Sequence, residues 1–168
     1  MATDPSVQEL ADVHLIRRLK SRYVRFVDLK QWPELEALFA AEFQFGGQGS
    51  MSGPGTFVEH VRIQLADART VHMLHEPEIL LESPGHAAAV WPFSDVIDQR
   101  RGRVGLLRRG YGHYHERYIK APDWRIASMR ITRQRIECDD YPEGGEPRSE
   151  VFVSQDDLAS WLAQRNSS

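Results

Sequence analysis

Residues 70–95 read TVHMLHEPEILLESPGHAAAVWPFSD and predict two β-strands joined by a tight turn. The turn falls at residues 82–85, because proline presets the backbone for a turn and glycine tolerates a positive φ. His72 lies on the first predicted strand and Asp95 on the second. Antiparallel pairing can bring these proton-transferring groups into one cavity although they are far apart in sequence. We therefore interpret the rest of the chain as walls and support for that cavity.

Size, charge and composition limit the class of protein. The chain has 168 residues, of which 41% are hydrophobic and 27% are charged, as expected for one globular domain that buries its own core. The net charge of -3 gives no reason to expect a nucleic-acid partner. No apolar run is long enough to cross a membrane, and the N-terminus lacks the layout of a signal peptide. The single cysteine, Cys138, cannot form an internal disulfide, which fits either a reducing compartment or indifference to redox state. We expect a cytoplasmic protein without a membrane partner.

The first part of the chain predicts helices. Asp4 and the proline after it start a first helix, in which apolar residues recur at helical spacing from Leu10 to about Asp28. A short second helix begins at Trp32, and Thr56 is placed to cap a third.

The second part of the chain predicts antiparallel strands. Long strands are expected over residues 104–120 and 124–138, and Pro92, inside an earlier strand, predicts a bulge or an unpaired position. From Asp139 the chain is polar and turn-like, and a final helix is expected from Ser154. Helices followed by strands favour an α+β domain with its helices on one face of a curved antiparallel sheet.

Four residues are candidates for acid–base chemistry. His72 is the leading base because imidazole titrates near neutral pH, although a single histidine is more often structural. Asp28 can fix the tautomer of His72 if the two meet, as the orienting acid of a triad does; otherwise it is a solvated carboxylate. Tyr23 lies on the apolar stripe of its helix, so only its hydroxyl is available for function. Asp95 is either a buried carboxyl that donates a proton or an exposed carboxylate near a strand end.

Arg133 lies in the middle of the last long predicted strand. It can hold an anionic group or pair with Asp95, in competition with Arg125, Arg130 and Arg135.

The histidines do not predict a metal site. His72 and His75 are three residues apart on a predicted strand and therefore lie on opposite faces. His113 and His115 share a face but have no evident third ligand, so we expect neither a metal nor a cofactor.

Several segments together resemble one known family: KSRYVRFVDLKQWPELE at 20–36, VHMLHEPEI at 71–79, AAAVWPFSD at 87–95, and YHERYIK at 114–120 with WRIASMRITR at 124–133. In these segments the chain resembles SnoaL-like members of the nuclear transport factor 2 (NTF2) superfamily. Within that superfamily it is similar to the bile-acid 7α-dehydratase group, with scytalone dehydratase as a more distant relative. The resemblance spans roughly Leu10 to Ile136.

The resemblance implies a cone-shaped α+β barrel, in which a strongly curved sheet wraps around the N-terminal helices and encloses a deep apolar pocket. The dehydratase group's tyrosine, helix-end aspartate, histidine, second aspartate and arginine fall on Tyr23, Asp28, His72, Asp95 and Arg133. These matches lead to the hypothesis of a cofactor-independent dehydratase for a hydrophobic polycyclic or aromatic hydroxy-carbonyl compound, steroid-like or polyketide-like. In this hypothesis the histidine takes a proton, the tyrosine hydrogen-bonds the enolate oxygen, and the second aspartate protonates the departing hydroxyl.

Other functions remain open for the same residues. They also suit a ketosteroid-type isomerase or an epoxide hydrolase, and the fold itself can serve as a non-catalytic binding protein. We expect one domain over residues 1–168 with a helical tail from about residue 139, which acts as a lid or as an interface. A dimer or a trimer is expected because a cone-shaped sheet leaves a broad outer face to cover.

Overall fold

The structure is a computed structural model that describes residues 5–46, 50–101, 104–141 and 148–152, together with residue 160. Two helices, two strands and a third helix come first, and the remaining elements are strands. The elements of the described residues are α1 Val7–Asp28, α2 Trp32–Glu36, β1 Phe39–Gly46, β2 Met51–Ser52, α3 Pro54–Leu65, β3 Ala68–Leu74, β4 Glu78–Ser83, β5 His86–Arg101, β6 Val104–Lys120, β7 Trp124–Tyr141 and β8 Arg148–Phe152.

Helix α1 begins at a capping box. The Ser6 hydroxyl accepts a hydrogen bond from the Glu9 backbone N–H, and the Glu9 carboxylate accepts one from the Ser6 backbone N–H, which satisfies two free donors at the helix start. The cap is therefore Ser6, not the predicted Asp4, which lies outside the described residues. Leu10 is exposed, so the buried stripe of α1 starts later than predicted. Its buried residues are Asp12, Ile16, Leu19, Lys20, Tyr23 and Val27.

Helix α3 begins earlier than predicted. Gly53 precedes it with a φ of 85°, and Pro54 takes the first helical position, which suits a ring-fixed φ. The predicted cap Thr56 therefore lies inside the helix. Within the described residues, no helix has both the length and the apolar character needed to cross a membrane.

The strands form one open, curved sheet in the order β2-β1-β7-β6-β5-β3, with β4 also paired to β5 and β8 to β7. The α+β class and the antiparallel pairing of the long strands confirm the prediction. Strand β1 is an exception, because it pairs with β7 in parallel. The helices and the inner face of the sheet enclose the main hydrophobic core, as in the cone-shaped fold of NTF2-like proteins.

The predicted hairpin is present but its first strand is divided. Strand β3 ends at Leu74 and β4 begins at Glu78, and both pair with β5. Pro92 lies where the partner of β5 changes from β4 to β3, and its carbonyl accepts a hydrogen bond from the His75 backbone N–H. Pro92 also pairs with His113 of β6 without a register shift. Pro92 therefore has no ladder partner in β3 or β4, as the prediction of an unpaired position has it, although its carbonyl is hydrogen-bonded there, and β5 is not bulged against β6 at this residue.

Two register shifts divide strand β7. Ala127 and Gln134 are the extra residues, since Tyr118 pairs with Ile126 while Arg117 pairs with Ser128, and a second shift follows Arg133. Neighbouring residues of a strand point to opposite faces, so each extra residue exchanges the inner and outer sets. Even-numbered residues such as Ile126 point inward before the first shift, and odd-numbered ones point inward between the shifts. Arg133 lies in the second group and faces the interior.

The chain beyond Asp139 differs from the prediction. Strand β7 continues to Tyr141, and β8 pairs with it where a turn-like segment was expected. Cross-strand packing explains the difference, since Phe152 of β8 contacts a small second core formed by Leu106, Ile136 and Cys138. Apart from residue 160, which is helical, the predicted C-terminal helix from Ser154 lies outside the described residues.

Candidate active site

The last turn of α1 brings Asp28 against His72 of β3. Asp28 Oδ1 lies 2.7 Å from His72 Nδ1, and Asp28 Oδ2 accepts a hydrogen bond of 2.9 Å from the His72 backbone N–H. A carboxylate only accepts, so Nδ1 carries a proton, and in the neutral imidazole Nε2 then carries the free lone pair. The sequence analysis gave Asp28 an orienting role only if it meets His72, and in the structure the two side chains do meet.

Two residues that the sequence analysis missed support this pair. The Thr70 hydroxyl donates to Asp28 Oδ1 at 2.8 Å, and Lys30 Nζ donates to the Thr70 hydroxyl at 3.0 Å. Burial acts to raise the pKa of Asp28, but hydrogen bonds from the His72 side chain and backbone and from Thr70 outweigh it, so the pKa lies below its ordinary value. Asp28 is therefore a fixed carboxylate at neutral pH. A threonine two residues before the histidine, on the same strand face, was the available signal.

Asp95 lies directly opposite His72 in the β3–β5 register. Its side chain is 2% exposed, which excludes the alternative of an exposed carboxylate, and Arg133 Nη2 donates to Asp95 Oδ2 at 2.6 Å. Arg133 supplies the positive charge that a buried carboxylate requires. Burial acts to lower the pKa of Arg133, but its hydrogen bond and charge interaction with Asp95 hold that pKa above its ordinary value.

The two pairs face each other across a short gap. His72 Nε2 lies 3.9 Å from Asp95 Oδ2, which is too long for a hydrogen bond. The exposed fraction of the His72 side chain is only 8%. The imidazole of His72 and the Asp95–Arg133 ion pair therefore face each other in a buried part of the protein, where charge interactions are strong.

Arg133 also has an unused donor. Within the described part of the chain, Arg133 Nη1 is buried and has no hydrogen-bond partner. Buried donors are rarely left unpaired because the loss of hydration is costly. An oxygen of a bound ligand is a fitting acceptor for this group.

Gly110 makes room for the ion pair. It pairs with Asp95 of β5 on one side and with Ile136 of β7 on the other. A Cβ atom at this position would overlap with Arg133 Nη1 and with Asp95 Oδ1. The sequence analysis missed this role, although a glycine inside a long strand often marks such a close approach.

Tyr23 is buried beside the site and makes edge-to-face ring contacts with Phe39 and Tyr114. Burial raises the pKa of the Tyr23 hydroxyl well above its ordinary value, and the charge of Glu116 acts in the same direction. Interaction with Tyr114 and the charge of Arg133 oppose this shift without cancelling it. The hydroxyl is therefore protonated at neutral pH and available as a hydrogen-bond donor.

The remaining candidate residues lie elsewhere. Arg125 contacts the Trp124 carbonyl and Arg135 contacts Glu137, so neither competes with Arg133. His75 Nε2 lies 3.4 Å from the Ser94 hydroxyl, on the face of β5 opposite to Asp95. The described residues contain no group of three or more side chains placed to hold a metal ion.

A groove of about 630 Å³ lies on the outer face of the sheet, and none of the five candidate residues lines it. Its walls include Ala88 and Val90 of β5, His115 of β6 and Arg130 of β7. The deep apolar pocket on the inner face, which the resemblance implies, stays a prediction.

Residues 8–130 match the SnoaL-like domain family, and the chain therefore belongs to this family of the NTF2-like superfamily. A probable cyclase, FGR4, of Gibberella zeae is 26% identical over 133 residues, which cover 71% of this chain and 89% of the relative. A protein provisionally named scytalone dehydratase, from Novosphingobium aromaticivorans, has a similar structure, with a TM-score of 0.68 and 18% identity over 76% of this chain and 87% of that one. A hexachlorocyclohexane dehydrochlorinase, LinA-type3, from Novosphingobium barchaimii has a TM-score of 0.64 and 16% identity over 74% of this chain and 87% of that one.

Proposed function

We propose that this protein is a cofactor-independent dehydratase, a lyase that removes water from a hydrophobic hydroxy-carbonyl compound. The observation that carries the proposal is the enclosed pairing of Asp28–His72 with Asp95–Arg133 across a gap of 3.9 Å. An oriented imidazole opposite a charged donor is an arrangement suited to proton transfer and loss of a leaving group. A polycyclic or aromatic substrate, steroid-like or polyketide-like, fits the family resemblance.

His72 acts as the base in this proposal. Asp28 accepts the proton of Nδ1, so Nε2 is free to take the proton on the carbon next to the substrate carbonyl. The positive charge that develops on the ring is then stabilised by Asp28, as in a triad. Electrons move from the broken C–H bond into an enolate.

Tyr23 donates a hydrogen bond to the developing enolate oxygen. Its hydroxyl stays protonated at neutral pH because burial raises its pKa, and a donor fixed before the reaction stabilises new charge without reorganisation.

The departing hydroxyl binds near Arg133. Nη1 of Arg133 has a free donor for the leaving oxygen, while Nη2 is held by Asp95. The C–O bond breaks as the enolate collapses, and His72 returns its proton to the hydroxide to form water. Protonation by Asp95 itself is the alternative route, and it requires a neutral carboxyl beside the guanidinium.

Names of related proteins support an elimination. A protein provisionally named a dehydratase and a dehydrochlorinase are among the proteins of similar structure, and a probable cyclase is among the sequence relatives. A ketosteroid-type isomerase is the second candidate, because the same base and the same enolate donor would serve it. An isomerase returns the proton to carbon, so loss of water separates the two.

We further propose that a hydrophobic small molecule is the main partner, and that the protein acts in the cytoplasm as a dimer or trimer. The outer-face groove, with its apolar wall at Ala88 and Val90, supports the self-association.

The test is turnover of polycyclic and aromatic β-hydroxy-ketones, followed by mass spectrometry for loss of water. His72→Ala should lower the rate by ~10²–10⁴-fold, the usual contribution of a general base. His75→Ala is the matched control, because it removes a histidine from the same segment on the outer face, and it should keep the rate. An unchanged rate in His72→Ala would rule out the proposal, and rearrangement without water loss would favour the isomerase.

A further inference from the structure

The interior contains a charged pair that the proposed reaction does not use. Lys20 of α1 and Glu116 of β6 are both completely buried, and Lys20 Nζ donates to Glu116 Oε1 at 2.5 Å. Tyr118 donates to the other oxygen of Glu116, and Trp91 Nε1 donates to the Tyr118 hydroxyl at 2.9 Å. The network joins α1, β5 and β6 inside the hydrophobic core.

Stability alone does not explain this pair. Removing two charges from water is costly, and apolar residues of similar volume often stabilise a core as well or better. The chain also has a second tie of the same kind between α1 and the sheet, in which Asp12 accepts hydrogen bonds from Lys120 and Trp124 near the surface. The burial of a charged Lys20 is therefore better explained by a role other than holding α1 against the sheet.

The Lys20 ammonium contacts the tyrosine of the site. Nζ lies 4.0 Å from the centre of the Tyr23 ring and 3.4 Å from the centre of the Tyr114 ring. Cations attract the faces of aromatic rings, most strongly where water is excluded. One charge thus holds two rings whose planes are inclined at 77° to each other.

The same contacts continue to the arginine. The rings of Tyr114 and Phe93 lie 4.3 Å apart between centres, and Arg133 Cζ lies 4.8 Å from the centre of the Phe93 ring. A column of Lys20, Tyr114, Phe93 and Arg133 therefore crosses the core, with a cation at each end.

We infer that Lys20 is a positioning residue of the site. Its ammonium, held by Glu116, fixes the rings of Tyr23 and Tyr114, and through Phe93 it fixes the plane of the Arg133 guanidinium. The roles of Tyr23 and Arg133 in catalysis rest on the proposed function, whereas the contacts from Lys20 to these residues are independent of it. Small displacements of positioned groups lower rates strongly, by ~10²-fold for about 1 Å.

Titration of Lys20 gives a signature that needs no substrate. Burial lowers the pKa of Lys20 to about 8, against the opposing charge and hydrogen bond of Glu116. Besides Glu116, the groups that face Lys20 are Tyr23 of α1 and Tyr114 and Tyr118 of β6. Burial raises the pKa of each of these tyrosines. Arg133 of β7 faces Tyr23 and Tyr114. Lysine is therefore the group of this cluster that changes charge near pH 8.

The experiment uses the full chain with ¹³Cζ-labelled tyrosine, of which the chain has five. The Tyr23 and Tyr114 signals should shift with a midpoint near pH 8, while exposed Tyr141 serves as the internal reference. Lys20→Met/Glu116→Gln removes both charges and leaves a partner for Tyr118, so the step should disappear. Lys20→Arg should keep the neutral-pH positions of both signals and also lose the step, because arginine does not titrate there.

Lys120→Met is the matched control, since it removes the lysine of the other tie between α1 and the sheet and should leave both tyrosine signals in place. The inference is overturned if the Tyr23 signal shows no step, or if the step persists in the double variant. Where β-hydroxy-ketone turnover is detected, the double variant should lower kcat by ~10²-fold with little change in KM. It should cause a smaller further loss in a Tyr23→Phe background, where only the contacts that lead to Arg133 remain to be disturbed. Fully additive losses there contradict the inference, and absence of all turnover contradicts only the proposed function.

Discussion

Asp28 illustrates how a single carboxylate at a helix end is held in one orientation. It accepts from His72 Nδ1, from the His72 backbone N–H and from the Thr70 hydroxyl. Three donors on two oxygens leave little freedom to rotate, and they keep the group ionised. The orientation of the imidazole is therefore fixed before any ligand arrives.

Asp28→Asn should lower the rate of water loss by at least ~10²-fold, because an amide can donate to Nδ1 and place the imidazole proton on Nε2. The size of the side chain is almost unchanged, so the fold should persist. The measurements are kcat/KM for a turned-over hydroxy-ketone and ¹⁵N chemical shifts of the His72 ring, which report the tautomer. Asp12→Asn, at the other end of the same helix, is the control, and equal losses in both variants would contradict the role of Asp28.

The sequence predicted the separate members of the site better than their supports. Tyr23, Asp28 and His72 have types that suggest acid–base chemistry, and the resemblance placed them together. Thr70 and Lys30 gave little signal, because a threonine in a strand and a lysine after a helix are ordinary in those places. Lys20 was missed because a lysine on a helix is usually solvated, whereas here it lies on the buried stripe.

At the scale of elements, strand β6 determines whether Asp95 and Arg133 can meet. It runs between β5 and β7, so the two side chains must approach each other above its backbone. Gly110 is the residue of β6 that pairs with Asp95, and because glycine has no side chain it leaves the space that the Arg133 guanidinium occupies. The ion pair thus depends on three neighbouring strands.

Gly110→Ala should displace Arg133 from Asp95 and lower stability by about 1–3 kcal/mol, as overpacking of a core usually does. Gly105→Ala is the control on the same strand, because its new Cβ would lie 3.7 Å from the Tyr141 Cβ, an ordinary contact, and it should change stability by less than about 0.5 kcal/mol. Urea unfolding measures both effects. A Gly110→Ala protein of unchanged stability would show that the sheet accommodates the extra atom.

Periodicity predicted the elements well where the pairing was local. The long strands β6 and β7 follow from alternation and from the turn between them. The parallel pairing of β1 with β7 was not predicted, because it joins strands far apart in the chain and depends on how the helices pack. The interruption at Pro77 was missed because the neighbouring apolar residues suggested one continuous strand.

At the scale of the whole molecule, buried and paired carboxylates link stability to pH. Hydrogen bonds lower the pKa values of Asp12, through Lys120 and Trp124, and of Asp139, through Ser149 and Arg109; the hydrogen bonds of Asp28 do the same against its burial. A carboxylate whose pKa is lowered by folding stabilises the protein at pH values above 3.8, its pKa in the unfolded chain. This stabilisation is lost as the pH falls through the pKa of the folded state. The loss should therefore begin near that pH and increase below it.

Urea unfolding from neutral pH to pH 3 measures this dependence. Wild-type stability should fall with pH at the acid end, and Asp12→Asn should show a shallower fall because it lacks one of the linked protons. Equal slopes for the two proteins would remove Asp12 from the explanation.

The overall shape was the part least accessible to local reasoning. Helix and strand order predicted the α+β class, but a cone requires curvature that arises from bulges and from packing of helices inside the sheet. The resemblance provided the cone, and the structure agrees with it. Neither source predicted that α1 would bury a lysine and an aspartate and tie them to the sheet.

The two extra residues of β7 also determine how sequences of this family should be aligned. Position 133 faces the interior only because Ala127 reverses the alternation before it and Gln134 restores it afterwards. A related chain with an arginine in the same column, but one residue fewer after position 126, would carry that arginine on the outer surface of the sheet. The number of residues between position 126 and the arginine, rather than the arginine alone, therefore indicates which family members can form a pair like Asp95–Arg133.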